Sequence, residues 1–123
     1  MRALVVDDSQ AMRMIIRRIL REQGFETVEA EHGRAALSAL ADAGPVDLAL
    51  VDWNMPEMNG LEFVEAVRAD ARYGGMVIMM VTTEIESAQV LRALDAGANE
   101  YLMKPFTKPA FVEKLALLGL AAA

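Results

Sequence analysis

Four places in this chain carry groups that can do chemistry. They are Asp7-Asp8-Ser9, Asp52, Val81-Thr82-Thr83 and Met103-Lys104-Pro105. Brought together they offer three carboxylates, a hydroxyl and one ammonium. Carboxylates held close repel one another, and one of them then tends to keep a proton. Three aspartates against Lys104 leave two negative charges uncompensated. A divalent cation removes that excess. Oxygen-only donors favour a hard ion, and a site with few carboxylates and room for water suits Mg²⁺. Near neutrality the same site can receive a phosphoryl group. Lys104 and the Thr82 hydroxyl would contact phosphate oxygens, and the Asp52 carboxylate would be the nucleophile, forming an acyl phosphate.

Taken singly, each signal has a plainer explanation. An Asp-Asp pair before a helix caps it and offsets its dipole. An aspartate after an apolar strand is usually a turn residue, and Lys-Pro is commonly just a turn. The functional reading therefore depends on the elements that position these groups.

Those elements alternate. Ala3–Val6, Thr27–Ala30, Leu48–Val51, Met76–Val81 and Tyr101–Met103 are short, mostly apolar, and bounded by turn residues, which predicts strands. Four are almost continuously hydrophobic, as parallel strands buried on both faces are. Between them lie segments with helical spacing. In Gln10–Gln23, Ala11, Ile15 and Ile19 recur every four residues, as do Met12, Ile16 and Leu20, with Arg13, Arg17 and Arg21 opposite. Ser9 fits an N-cap and Gly24 a stop. Arg34–Ala43, Leu61–Ala69 and Ser87–Ala96 follow, and Thr107 caps a last helix with the stripe Phe111, Leu115, Leu118. Five βα units predict a parallel sheet covered on both faces, with right-handed crossovers. The order of the strands is not written in this pattern. In such sheets ligands bind beyond the carboxyl ends of the strands. Asp7-Asp8, Asp52, Thr82 and Lys104 all stand at such ends, and this coincidence favours function.

Composition removes other classes. The chain has 123 residues, 54% hydrophobic and 24% charged, which predicts one folded domain rather than disorder. It has no cysteine and a single histidine, His32, so disulfides, thiolate chemistry and a multi-histidine metal site are excluded. Twelve basic against 18 acidic residues give −6, the wrong balance for a nucleic-acid binder. The runs Ala3–Val6 and Leu115–Ala123 are too short for a signal sequence or a membrane span, so a cytoplasmic protein without membrane association is expected. Ala121–Ala123 is expected to fray. Met76, Met79 and Met80 read as core filling, and His32 as a loop residue.

Over essentially its whole length the sequence resembles a two-component response-regulator receiver domain. The residues that carry the resemblance are Leu4-Val5-Val6-Asp7-Asp8-Ser9, Val51-Asp52-Trp53-Asn54-Met55-Pro56-Glu57-Met58-Asn59-Gly60, Val81-Thr82, and Ala96-Gly97-Ala98 through Tyr101 to Lys104-Pro105-Phe106. The resemblance implies a flavodoxin-like doubly wound α/β fold with strand order 2-1-3-4-5 and five helices. It implies phosphorylation of Asp52 by a histidine kinase or phosphotransfer partner. It implies Mg²⁺ held by Asp8, Asp52 and the Asn54 main-chain carbonyl, with Asp7 assisting through water. It further implies a cis Lys104–Pro105 bond. Thr82, Lys104 and Tyr101 then act in phosphate binding and switching, and Asn54, Thr83 and Glu84 tune the site.

Within that family the chain is most similar to the single-domain chemotaxis regulators. Trp53-Asn54, Glu84 and Tyr101 fit their pattern, and residues 1–123 are assigned to one receiver domain without an output domain. One departure is Thr83, where a small alanine is common. A β-branched residue there would narrow access for small phosphodonors or a phosphatase. The implied partners are a chemotaxis-type kinase and an output target such as the flagellar motor switch, with the protein a monomer. The output face is expected on the fourth helix, fifth strand and fifth helix, including Glu86, Ala88, Gln89, Arg92, Glu113 and Lys114. Arg13, Arg17, Arg18 and Arg21 form either a solvated face or a partner-docking face. A single-domain regulator of a phosphorelay or the cell cycle is the runner-up. A phospho-aspartate hydrolase of the haloacid-dehalogenase type is weaker, because Asn54 stands where its acid–base aspartate would be. A flavin or nucleotide binder would want a Ser/Thr- or Gly-rich loop where Asp7-Asp8 stands.

Overall fold

The structure is a computed structural model and describes residues 1–83 and 87–120. Glu84, Glu86 and Ala121–Ala123, named above, lie outside the described residues. The elements are β1 (Arg2–Val6), α1 (Gln10–Glu22), β2 (Glu26–Ala30), α2 (Gly33–Ala43), β3 (Leu48–Val51), α3 (Gly60–Arg68), β4 (Val77–Thr82), α4 (Ser87–Ala96), β5 (Glu100–Met103) and α5 (Lys108–Leu117). A short 3-10 turn, Ala71–Tyr73, follows α3, where the apolar pattern carries no signal for it. Asp70 caps it, and Arg72 closes back on the Asp70 carboxylate at 2.8 Å.

The five strands form one parallel sheet in the order β2-β1-β3-β4-β5. Alternate residues of a strand point to opposite faces. Ala3 and Val5 of β1 enter one core with Ile16, Ile19 and Leu20 of α1 and Phe111 and Leu115 of α5. Leu4 and Val6 enter the other, with Ala36 and Leu40 of α2, Phe63, Val64 and Val67 of α3, and Ala93 of α4. Both faces of β1 and β3 are therefore covered, and their apolar runs are continuous for that reason. Met76, Met79 and Met80 are all buried; Met76 stands just before β4.

Helix α1 differs in part from its sequence pattern. Ile16, Ile19 and Leu20 are buried, but Ile15 is 50% exposed and Ala11 is exposed. Two apolar stripes cannot both face one sheet, and the Ile16–Leu20 side wins. Ser9 caps α1 through Met12 N, and Gly24, at φ +89°, takes the left-handed turn that leads into β2.

Register decides what the strand ends present together. Val6 pairs with Ala30 and Val51, Val51 with Met80, and Thr82 with Met103. The carboxyl ends of β1, β2 and β3 are thus in step, β4 and β5 run two residues further, and the residues that follow them meet at one edge.

Candidate functional site

Main-chain hydrogen bonds carry the sheet one residue past its ends. Asp7 N donates to Ala30 O at 3.1 Å, Asp52 N to Val6 O at 2.9 Å, and Lys104 N to Thr82 O at 3.0 Å. Each chemical residue is therefore anchored by its backbone before its side chain is considered. The Lys104–Pro105 bond that follows is cis.

The carboxylates differ in environment. Asp7 is 1% exposed, and its Oδ1 accepts from Ser9 N at 2.9 Å. Its Oδ2 accepts from Lys104 Nζ at 2.7 Å. Asp8 is exposed. Asp52 is buried, accepts from Trp53 N at 2.9 Å, and lies 3.5 Å from Lys104 Nζ. Burial raises the Asp52 pKa to about 6; Asp7 and Asp8 push the same way, while Lys104 and the Trp53 N–H oppose them. One oxygen from each of Asp7, Asp8 and Asp52 lies within 4.8 Å of the others. The donors are oxygens, one carboxylate is open to solvent, and the central one gains from a cation that offsets its burial. Such a set fits Mg²⁺, which keeps several waters and takes few carboxylates.

Packing fixes Asp52 from behind. A Cβ on Gly60 would strike the Asp52 carbonyl oxygen and come within 2.8 Å of the Met80 methyl. Only a glycine lets α3 begin that close, with Gly60 N donating to Trp53 O at 2.9 Å. The Asn59–Glu62 capping box then holds the first turn of α3.

The structure brings Asp7, Asp8, Asp52 and Lys104 together. Thr82 is buried at the end of β4, and Thr83 is exposed beyond it. Tyr101 is half-buried on β5 and borders a narrow cavity with Trp53, Met80, Thr82, Gln89 and Val90. Lys114 Nζ sits 4.8 Å from the Tyr101 ring centre and 3.1 Å from Glu100.

Three features had no signal in the sequence. Lys104 sits closer to Asp7, at 2.7 Å, than to Asp52, at 3.5 Å. Arg13 Nη1 donates to the Asp7 main-chain oxygen at 2.6 Å. Arg13 and Arg17 also engage Glu29 at 3.3 and 2.7 Å, so half of the arginine face is tied to β2. The third is His32. Its Nδ1 accepts from Ala35 N at 3.1 Å and caps α2, while Nε2 lies 3.5 Å from Glu57.

No helix among the described residues is long and apolar enough to cross a membrane. Residues 3–116 match the model of the response regulator receiver domain. A chemotaxis protein CheY homolog of Campylobacter jejuni is 52% identical over 116 residues, covering 94% of this chain and 89% of that protein. Chemotaxis protein CheY1 of Helicobacter pylori is 49% identical over 116 residues and covers 94% of each. The structure of chemotaxis protein CheY4 of Vibrio cholerae superposes with a TM-score of 0.87 at 35% identity, covering 94% of this chain and 96% of that one. Matched in sequence and in fold across almost its whole length, this chain belongs to the response-regulator receiver family and is a CheY-like member of it.

Proposed function

We propose that the protein is a phosphorylation-activated switch whose acceptor is Asp52. One observation carries the reading: Asp7, Asp8 and Asp52 converge within 4.8 Å, with Lys104 Nζ 3.5 Å from the Asp52 carboxylate. Receiver domains bind Mg²⁺ at an acidic pocket, and here Asp8, Asp52 and the Asn54 carbonyl would hold it, with Asp7 acting through water. Bound there, Mg²⁺ supplies positive charge to the transferring phosphoryl oxygens. The chain's own residues do the rest. An Asp52 oxygen attacks phosphorus in line, and the P–N bond of a kinase phosphohistidine breaks with its electron pair going to the imidazole. Lys104 swings from Asp7 to a phosphoryl oxygen, and Thr82 supplies a hydroxyl. Burial of Asp52 and its fixed backbone place the nucleophile without reorganisation.

The donor is a histidine kinase or phosphotransfer domain, and the chemotaxis names of the relatives favour a chemotaxis pathway over a phosphorelay or cell-cycle one. Exposed Arg18 and Arg21 on α1, beside half-exposed Met14 and Ile15, offer that partner a basic and apolar face. The output face is α4, β5 and α5, where Leu91, Leu94 and Met103 are exposed; a flagellar switch component is the target this predicts. Thr83, exposed at the edge of the site, and Glu84 set the rate of dephosphorylation by water or a phosphatase. The protein turns over only its own phosphoryl group, and acts as a cytoplasmic monomer. Label transfer from a phosphorylated cognate kinase tests the assignment: Asp52→Asn abolishes it, and full labelling of that variant would overturn it.

A further inference from the structure

The loop 52–59 leaves β3 at the acceptor and carries Asn54 on its way to α3. At its start it is pinned by Asp52 N to Val6 O and by Trp53 O to Gly60 N, both 2.9 Å. At its far end it is pinned to a different element. Gly33 N, in the first turn of α2, donates to Met58 O at 3.3 Å. A Cβ on Gly33 would lie 2.6 Å from the Met58 side chain and 2.9 Å from Met58 O, so the two segments touch backbone to backbone. Glu57 adopts φ +66°, a left-handed conformation that costs a non-glycine residue energy and persists only where neighbours hold it. His32 is such a neighbour. Nδ1 is committed to the α2 cap, which fixes the ring and leaves Nε2 facing the Glu57 carboxylate at 3.5 Å.

We propose that the His32–Glu57 pair is a positioning clasp for the metal site. One imidazole joins the α2 N-terminus to the strained corner of the loop and so holds the Asn54 carbonyl in place for Mg²⁺. The inference rests on the reading that Asp8, Asp52 and Asn54 hold the ion. His32 touches no ligand, and its effect passes through the backbone from Glu57 to Asn54. The loss on breaking the clasp is therefore a few-fold in Mg²⁺ affinity, below the roughly 10–100-fold typical of groups bonded directly to a ligand.

The test is Mg²⁺ titration followed by Trp53 fluorescence, with amide exchange of the metal-free protein as a second readout. His32→Asn keeps an N-cap acceptor for α2 but is too short to reach Glu57. It should weaken Mg²⁺ binding a few-fold and speed exchange at Gly33 and across residues 54–58. Glu57→Ala should do the same, the double variant should be no worse than either single one, and Glu57→Gln, which keeps an acceptor, should retain parental affinity. If Glu57→Ala fails to fold, His32→Asn alone decides. Parental Mg²⁺ affinity in His32→Asn overturns the clasp, as do single-variant losses that multiply in the double variant. Asp8→Ala separates the two readings: it should abolish the response by removing a ligand. A parent protein without any Mg²⁺ response overturns both.

Discussion

At the acceptor, one carboxyl group carries opposing demands. Asp52 must be ionised to attack phosphorus, yet burial among two other aspartates raises its pKa to about 6. Its value in an unfolded chain is 3.8. The folded state therefore binds the extra proton between these limits, and in the absence of metal this group makes stability fall as pH rises through 4 to 6. Asp52→Asn should flatten that part of the pH profile and stabilise the metal-free protein at pH 7.5 by on the order of 1–2 kcal/mol, less than full linkage because water reaches part of the carboxyl. Chemical denaturation at a series of pH values without Mg²⁺ reads both effects. Lys104 presents the converse case. Its removal strands Asp7, which is 1% exposed, as a buried charge. Lys104→Met should cost about 3 kcal/mol, and adding Asp7→Asn should recover most of it, as measured by urea unfolding.

Among the elements, the strands and the residues at their ends were legible because valine- and leucine-rich runs stop abruptly at Asp7, Asp52 and Thr82-Thr83. The strand order came from the family resemblance, since apolar runs do not say which strand neighbours which. The partner of Lys104 was not legible. Whether its ammonium rests on Asp7 or Asp52 depends on a reach of 2.7 against 3.5 Å, which spacing along a chain does not encode. The His32 cap was hidden because serine, threonine, aspartate and asparagine are the residues that announce a helix start. The half-exposed Ile15 was hidden because α1 carries two apolar stripes and only packing chooses between them. Gly60 lies between these cases: a glycine in the first turn of a helix is visible, but its contact with the Asp52 carbonyl is not. Gly60→Ala should destabilise by about 2–3 kcal/mol through overpacking against a backbone atom that cannot rotate away. It should also slow phosphoryl acceptance, because relief moves Asp52. Met80→Ala should not rescue it. Thermal melts and labelling rates of the two variants check this.

Across the whole molecule, the proposed switch couples the two ends of β4 and β5. Phosphorylated Asp52 would draw Thr82 toward it, and the cavity bordered by Thr82, Met80 and Trp53 would then admit the Tyr101 ring. Burying the exposed part of that ring contributes on the order of 1–3 kcal/mol, enough to shift a two-state equilibrium severalfold to a hundredfold. The Lys114 ammonium, 4.8 Å from the ring, favours its present half-exposed place. Target affinity should therefore rise with a beryllofluoride mimic on Asp52, and Tyr101→Ala should lose most of that gain. Retention of the full gain would move recognition to α1.

The sheet order also sets a sequence of events in time. β1 pairs with β2 and β3, so the two strands that lead into Asp7-Asp8 and Asp52 can associate, with β2 beside them, while the rest of the chain is still being made. Lys104 follows Asp7 by 97 residues. At synthesis rates of about 5–20 residues per second, the nascent protein spends seconds with its carboxylates gathered and their lysine not yet translated. Arrival of β5 on the ribosome therefore does more than complete a sheet edge. It delivers the positive charge that eases the repulsion, and makes the last strand to emerge the one that closes the molecule.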